Sequence, residues 1–468
     1  MFTNDKPAEI RILRRNIVGI NEKVPVPWHR KTKYTYLDNA ASTPALAPVV
    51  KNLNQYLKWY SGVHRGTGYK SILSTKIYNH CHDIIGNFVG ADPGKDCVVM
   101  LKNTTEAINK LSYRLKLRPS DIVITTDMEH HSNDLPWRAR STVKYAGINQ
   151  RGELDLENVR QLLHQNYPHV KLLAVCGASN VTGHVNHVHF LAEMAHEYGC
   201  RILVDGAQLI PHRCFKLKPH SDPQHIDFLA FSGHKIYAPF GAGVLIAPKE
   251  TFAGHDPEYQ GGGTVKIVMK DKVHWADPPD KEEAGSPNVT GTYALAKTLE
   301  YLDKLGMDVI EKYEQELTGY AYNRIRSLRN VTVYGSFPRV GVISFNIKGI
   351  SHALVGAVLC FEAGIGTRTG CFCAQNYVRK LLGEAEDSRH LKYYEENQVD
   401  KLPGMVRVSL GAYNTREEVD YLVKWLEKIS YNTIEFKRRY QYDPIQGTYV
   451  PKDFPTHKFL EKLHKRYL

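Results

Sequence analysis

The stretch RTGCFCAQ, residues 368–375, sets Cys371 and Cys373 one residue apart. Thiols so spaced can ligate a metal, form a redox pair, pack as small buried residues or supply a nucleophile, and the spacing alone does not choose. Other stretches carry chemistry of their own. SGHK (232–235) follows an apolar run and precedes IYAPFGAG. A lysine past a strand end is ordinarily a solvated surface group, but one lodged in apolar surroundings loses its proton more easily and can form a Schiff base. DGAQ (205–208) also ends an apolar run. Its carboxylate suits a metal, a ribose hydroxyl or a protonated ring nitrogen. NTTEAIN (103–109) reads as a helix entrance capped by Thr104 or Thr105, and the same exposed amides make an anion site. EHHSN (129–133) holds adjacent histidines that point apart on a regular element, so joint chelation is disfavoured and stacking on a flat ring is the alternative. In SNVTG (179–183), Asn180 either shapes a turn or donates to a ring oxygen.

Elements that would position these residues alternate along the chain. CVVML (97–101), DIVITT (121–126), KLLAVCGAS (171–179), RILVDG (201–206), IDFLAFS (226–232) and GAGVLIAP (241–248) read as buried strands. Helical patterns such as NTTEAINKLSYRL and FLAEMAHEYG lie between them. Apolar strands separated by helices imply a mostly parallel sheet covered on both faces, with ligands at the carboxyl ends of the strands. Past residue 300 the pattern changes to one long helical stretch, then VTVYG, GVISFNI and MVRVSL, then a closing amphipathic helix with Thr415 as N-cap and Glu418 completing a capping box.

The bulk numbers narrow the class. With 42% hydrophobic and 24% charged residues, the 468-residue chain has an ordinary globular composition and ample material for a core. Eight cysteines scattered from 81 to 373 do not form a disulfide scaffold and read as free thiols of a reducing compartment. The first twenty residues lack a signal-peptide apolar core, and no run is long enough to span a bilayer, so a cytoplasmic protein without a membrane partner is expected. A net charge of +12 allows nucleic-acid or acidic partners, but without a nucleic-acid-binding signature a solvated basic surface is the preferred reading. The densest basic runs, KRR (437–439) and HKRYL (464–468), would be the contact for an acidic protein.

Taken in order, YLDNAAST (36–43), VHRGTGYKS (63–71), NTTEAIN, EHHSNDLPW (129–137), SNVTG, VDGAQ (204–208), SGHK, EAGSPN (283–288), RTGCFC and RVSLGAYNTREEVD (407–420) resemble the class V aminotransferase superfamily of fold-type I pyridoxal-phosphate enzymes, and within it the SufS-type cysteine desulfurases and selenocysteine lyases. The resemblance implies an α/β fold-type I transferase. Its large domain, over 35–300, would hold a mostly parallel seven-stranded sheet. A smaller α+β C-terminal domain over 301–430 would carry the cysteine loop. Residues 1–34 would pack on the small domain, and 431–468 would form an extension. A homodimer with pyridoxal 5'-phosphate as cofactor is implied.

Carried over position by position, the resemblance makes Lys235 the Schiff-base lysine and Asp205 the partner of the pyridine nitrogen. Gln208 would contact the phenolic oxygen, with Asn180 nearby on the substrate side, and His130 would stack on the ring and handle protons. Thr104, Thr105, Ser232 and His234 would hold the phosphate, and Ser286 would reach the phosphate of a neighbouring subunit. Arg407 would bind the substrate carboxylate, and His64 and Arg65 would line the cleft across the dimer interface. Cys373 would be the nucleophile that takes sulfur from L-cysteine as a persulfide, leaving L-alanine, with Arg368 favouring its thiolate. A sulfur-acceptor protein would follow. No metal is expected, because nothing near Cys371 and Cys373 supplies a second ligand pair.

Departures leave alternatives open. Where SufS-type enzymes carry histidines, this chain has Cys371 and Phe372, which look like the desulfurase-type domain of molybdenum-cofactor sulfurases. Asn103 stands where many relatives have glycine. A selenocysteine lyase, a C–S lyase, a kynureninase-like hydrolase and an epimerase share the scaffold, and a non-catalytic paralogue acting through its basic tail is the rival from another class.

Overall fold

The computed structural model describes residues 7–27, 30–64, 66–453 and 456–468. Its centre is a seven-stranded sheet in the order Asp96–Leu101, Gly243–Pro248, Phe228–Ser232, Arg201–Asp205, Val170–Cys176, Ile122–Thr126, Thr142–Ala146. Only Gly243–Pro248 runs antiparallel to its neighbours; the other pairings beyond it are parallel. Every residue of Phe228–Ser232 and Gly243–Pro248 is buried, as expected for a sheet covered on both faces. The edge strand Thr142–Ala146 was not legible as a strand, because TVKYA alternates exposed and half-buried positions.

The expected helix entrance at 103–109 is present as Thr104–Arg114, but its cap is Asn103, whose side chain accepts from the Glu106 amide at 3.0 Å, not Thr104 or Thr105. That frees both threonines for the cavity described below. The long helical stretch expected past about residue 300 is two helices, Val289–Leu305 and Met307–Arg326. Gly306, at φ +89°, breaks them in a backbone region that side chains resist.

A second sheet of four antiparallel strands follows, in the order Val331–Tyr334, Val342–Ile347, Met405–Ser409, Arg368–Gly370. The expected capping box at Thr415 and Glu418 closes the start of the helix Arg416–Tyr431. That helix buries Val419, Leu422, Val423 and Leu426 against this sheet's core. The N-terminal helix Ala8–Arg15 buries Ile10 and Leu13, and Arg14 reaches the Tyr413 carbonyl and Glu418, both at 2.6 Å. Beyond residue 431 the chain forms a short helix, Thr433–Arg439, then a hairpin of Tyr440–Asp443 and Thr448–Pro451 packed on the helix His352–Ala363. The basic run at 437–439 is partly spent inside the fold, since Arg439 pairs with Glu362 at 3.0 Å.

The two sheets meet at the SNVTG turn. Val340 donates to the Gly183 carbonyl at 2.8 Å and Ser344 Oγ to the Val181 carbonyl at 2.5 Å. Gly183 sits at φ +76°, and a Cβ there would lie 2.7 Å from the Val342 carbonyl oxygen. Gly183→Ala is therefore expected to destabilise the protein by about 2–4 kcal/mol, read as a lower thermal midpoint; an unchanged midpoint would refute this account of the junction.

Candidate active site

The carboxyl ends of three parallel strands, the start of the helix Thr104–Arg114 and the loop 368–373 enclose a cavity of 620 Å³. Cys176, Asp205 and Ser232 are the last residues of their strands and all line it. This is the crevice at which open α/β sheets bind ligands, because helix N-termini and strand ends leave backbone donors unpaired there.

One wall carries a helix start. Thr104 and Thr105 open their helix, the end at which its dipole favours negative charge. Ser232 Oγ accepts from the Thr104 amide at 2.8 Å and lies 2.6 Å from Thr104 Oγ1. Thr105 Oγ1 meets Ser132 Oγ at 2.7 Å. His234 lines the same wall, and burial holds its ring near neutrality, with a pKa of about 4.

The floor carries the carboxylate and the amine. Asp205 Oδ1 accepts the Ala207 amide at 2.9 Å, and Oδ2 has no hydrogen-bond partner among the described residues. Burial pushes its pKa up; Lys235 and that amide only partly offset the effect. Lys235 ends the short turn Gly233–Lys235 and forms no ion pair among the described residues. Burial pushes its amine down, outweighing attraction from Asp205, and Arg407 lowers it further. Both groups are thus drawn toward their neutral forms, and a cationic ligand atom at Asp205 would restore its charge.

Above them lies His130. Its Nδ1 accepts from the Ser132 amide at 3.1 Å, so in the neutral ring the proton sits on Nε2. Burial and the nearby charges of Lys235, His131 and Arg407 lower its pKa to about 3. The His131 ring is tilted 47° to it at 6.3 Å and is not part of the cavity lining, so the two do not act as a chelating pair. Beneath, Glu129 receives Thr126 Oγ1, Asn133 Nδ2 and the Cys176 amide, and burial raises its pKa to about 8.

The opposite wall is the cysteine loop. Phe372 and Cys373 sit at φ 54° and 55°, two successive non-glycine residues in the left-handed region. Such a pair is strained and persists only when held from outside. Asn180 Nδ2 donates to the Phe372 carbonyl and the His131 amide to the Cys373 carbonyl, each at 2.7 Å. The Arg407 guanidinium lies 4.8 Å above the Phe372 ring. Cys373 is exposed, whereas Cys371 packs against the core and burial raises its pKa.

Arg407 is itself buried, giving Nη1 to the Asn180 carbonyl at 2.9 Å and Nη2 to Asp38 at 3.1 Å. Arg368, half exposed, donates to the same Asp38 at 2.8 and 3.0 Å. Gln208 gives Nε2 to the Ala40 carbonyl at 2.7 Å.

Of the expected site residues, Thr104, Thr105, His130, Asn180, Asp205 and Gln208 line this one cavity. So do Ser232, His234, Lys235, Arg368, Cys373 and Arg407. Ser286 and His64 do not; Ser286 is exposed, and His64 lies beside Tyr78 with its amide on Thr75 Oγ1. Arg65 lies outside the described residues. The sequence reading missed Ser132, which stood in view inside EHHSN and bonds both His130 and Thr105. It also missed His352, Leu402, Pro403 and Gly447, which complete the cavity from segments that carry no motif.

The model of the family described as "Aminotransferase class-V" matches residues 35–422. A "Cysteine desulfurase" of Haloferax volcanii is 35% identical over 430 residues, covering 89% of this chain and 94% of its own. A "Probable cysteine desulfurase" of Halalkalibacterium halodurans is 34% identical over 402 residues, covering 84% and 92%. Among solved structures, the apo cysteine desulfurase of Thermococcus onnurineus NA1 superposes with a TM-score of 0.78 at 30% identity, covering 92% of this chain and all of that one.

The depressed His130 pKa generates a prediction. The unfolded chain takes up a proton near the ordinary histidine value of 6.5, which the folded ring accepts only near 3. Its stabilising contribution is complete above pH 6.5 and is lost as pH falls, by roughly 2 kcal/mol on reaching pH 5. His130→Gln should show a smaller drop in thermal midpoint between pH 7 and pH 5 than the unsubstituted protein; equal drops would contradict the assignment. A buried carboxylate and amine at strand ends, a helix start on the same cavity and the family model over 35–422 converge on one conclusion: the chain belongs to the class-V aminotransferase family.

Proposed function

We propose that this protein is a pyridoxal-phosphate-dependent cysteine desulfurase that converts L-cysteine to L-alanine and carries the sulfur as a persulfide on Cys373. The observation that carries this reading is the exposed Cys373, on a strained and anchored loop, in one cavity with Lys235 and Asp205. The names borne by relatives of matching length support it.

The residues fit the cofactor. Gln208 Oε1 and Arg407 Nε are buried polar atoms without partners, on residues that line the cavity. Such orphans cost about 1–3 kcal/mol each, and a polar ligand relieves that cost. The anion wall of Thr104, Thr105, Ser232 and His234 would take the phosphate, Asp205 the ring nitrogen, His130 the ring face, and Lys235 the covalent link. When bound, the cofactor supplies an electron sink for charge at the substrate Cα.

The chain's own residues do the rest. Lys235, with its proton affinity lowered by burial, moves the proton at Cα. Arg407, aided by Asn180, orients the substrate carboxylate, and its remaining N–H groups are the donors for it. Lys235 and Arg407 line the same cavity as the Cys373 sulfur, whereas Arg368 is already engaged by Asp38. Cys373 Sγ then bonds the substrate sulfur as the Cβ–S bond breaks. The electron pair stays with the carbon fragment, which is protonated to alanine. His130 holds a proton on Nε2 near the substrate thiol.

Ser286 and His64 belong, in this reading, to a homodimer interface, supported by the exposure of Ser286 and its place outside the cavity. No described helix is long and apolar enough to cross a membrane, and all eight cysteines are free thiols, which supports a cytoplasmic setting with a protein as sulfur acceptor.

The test is turnover of L-cysteine with a thiol reductant, measuring alanine and sulfide. Equal amounts of both are expected, falling at least about 100-fold in Cys373→Ala and Lys235→Ala and persisting in Cys371→Ala. Pyruvate in place of alanine, or indifference to Cys373→Ala, would sink the desulfurase reading.

A further inference from the structure

At the end of the central sheet remote from the cavity, His196, His225 and Asp227 converge. Their ligand atoms all lie within 4.8 Å of one another. His196 closes the helix Val188–His196, and Asp227 immediately precedes the strand Phe228–Ser232. Ser232, at the other end of that strand, belongs to the cavity, so the cluster lies roughly 16 Å away along the strand direction.

The hydrogen bonds fix the rings. His196 Nδ1 lies 2.7 Å from the Pro223 carbonyl and His225 Nδ1 lies 3.0 Å from the Asp222 carbonyl. A carbonyl only accepts, so each Nδ1 carries the proton and each Nε2 is left to face inward. The inward atoms meet one carboxylate: His196 Nε2 lies 3.0 Å from Asp227 Oδ2, and His225 Nε2 lies 3.3 Å from Oδ1. With neutral rings, two nitrogen lone pairs would confront the lone pairs of a carboxylate. A proton or a cation relieves that confrontation.

One extra proton, on His196, would meet the Oδ2 contact and leave the His225 nitrogen facing Oδ1; two would meet both, but the two rings are stacked with centroids 4.4 Å apart. Two imidazolium rings in that arrangement repel each other. A single divalent ion serves both lone pairs and the carboxylate at once. Nδ1–H held by a backbone carbonyl with Nε2 free is the arrangement that orients metal-ligating histidines. Ligands about 2.0–2.2 Å from a tetrahedral ion stand about 3.3 Å apart, close to the nitrogen–oxygen separations here.

We propose that His196, His225 and Asp227 form a binding site for a late first-row divalent cation of the Zn2+ or Co2+ class, with solvent completing the coordination. All three side chains are only 10–20% exposed, so the ion would be shielded yet reachable. The site would fasten the connection 211–227, which contains neither helix nor strand, to the end of the helix Val188–His196. Polar contacts already run along that seam: His189 to the Gln224 carbonyl at 2.9 Å and Gln224 to Glu193 at 2.6 Å.

The experiment uses the full chain with its cofactor, stripped of metal by a chelator and titrated with Co2+. Cys371 and Cys373 are competing ligands, so the titration is repeated in a Cys371→Ser, Cys373→Ser double variant. At least one equivalent should bind to the unsubstituted chain and one to the double variant, there with a visible ligand-field band and no thiolate charge-transfer band. His196→Gln with His225→Gln should weaken binding on the order of 100-fold. Asp227→Asn serves as the second variant if the histidine pair fails to fold. Loss of that one equivalent in either variant supports the site. No equivalent in the cysteine-free background, or binding unchanged by substitution, overturns it.

Discussion

A single buried guanidinium ties the catalytic half of this molecule together. Arg407 rises from the four-stranded sheet, donates to the Asn180 carbonyl in the turn after the strand Val170–Cys176, pairs with Asp38 from the N-terminal region and covers the ring of Phe372. Four segments far apart in sequence thus take their positions from one planar fork, which lysine could not imitate. Because desolvating that charge is costly, its partners have to be in place for it to stay buried. The same residue that would clamp a substrate carboxylate also holds the platform from which a thiol would attack.

The loop makes the same point from the backbone. Successive left-handed residues at 372 and 373 would relax if left alone. They are held by Asn180, by the amide of His131 and by the arginine's face. Asn180 and Arg407 also line the cavity, and His131 follows His130, which does. The position of the thiol and the shape of the cavity are therefore not independent quantities.

Much of this was legible beforehand where types and spacing carry mechanism. Lysine and aspartate after apolar runs, and threonines at a helix entrance, told of strand ends and an anion site, and they do share one cavity. The capping box at Thr415 and Glu418 was readable for the same reason: it is local chemistry. What escaped was non-local. The strand Thr142–Ala146 hides because an edge strand needs no apolar run. Asn103 takes the cap, and the Thr104 and Thr105 hydroxyls bond Ser232 and Ser132, partners from distant stretches, instead. Arg368 seemed free to act on a thiol until Asp38, more than three hundred residues earlier, was seen to occupy it.

The turn of the C-terminal hairpin brings Gly447 to the same wall as His352, Leu402 and Pro403. Gly447 lies beyond the 35–422 span that the family model matches, and the other three carry none of the family's motifs. The cavity is thus walled by two kinds of chain, strand ends inside the matched span and a hairpin turn outside it. A substitution at that turn changes the wall without touching the strand ends.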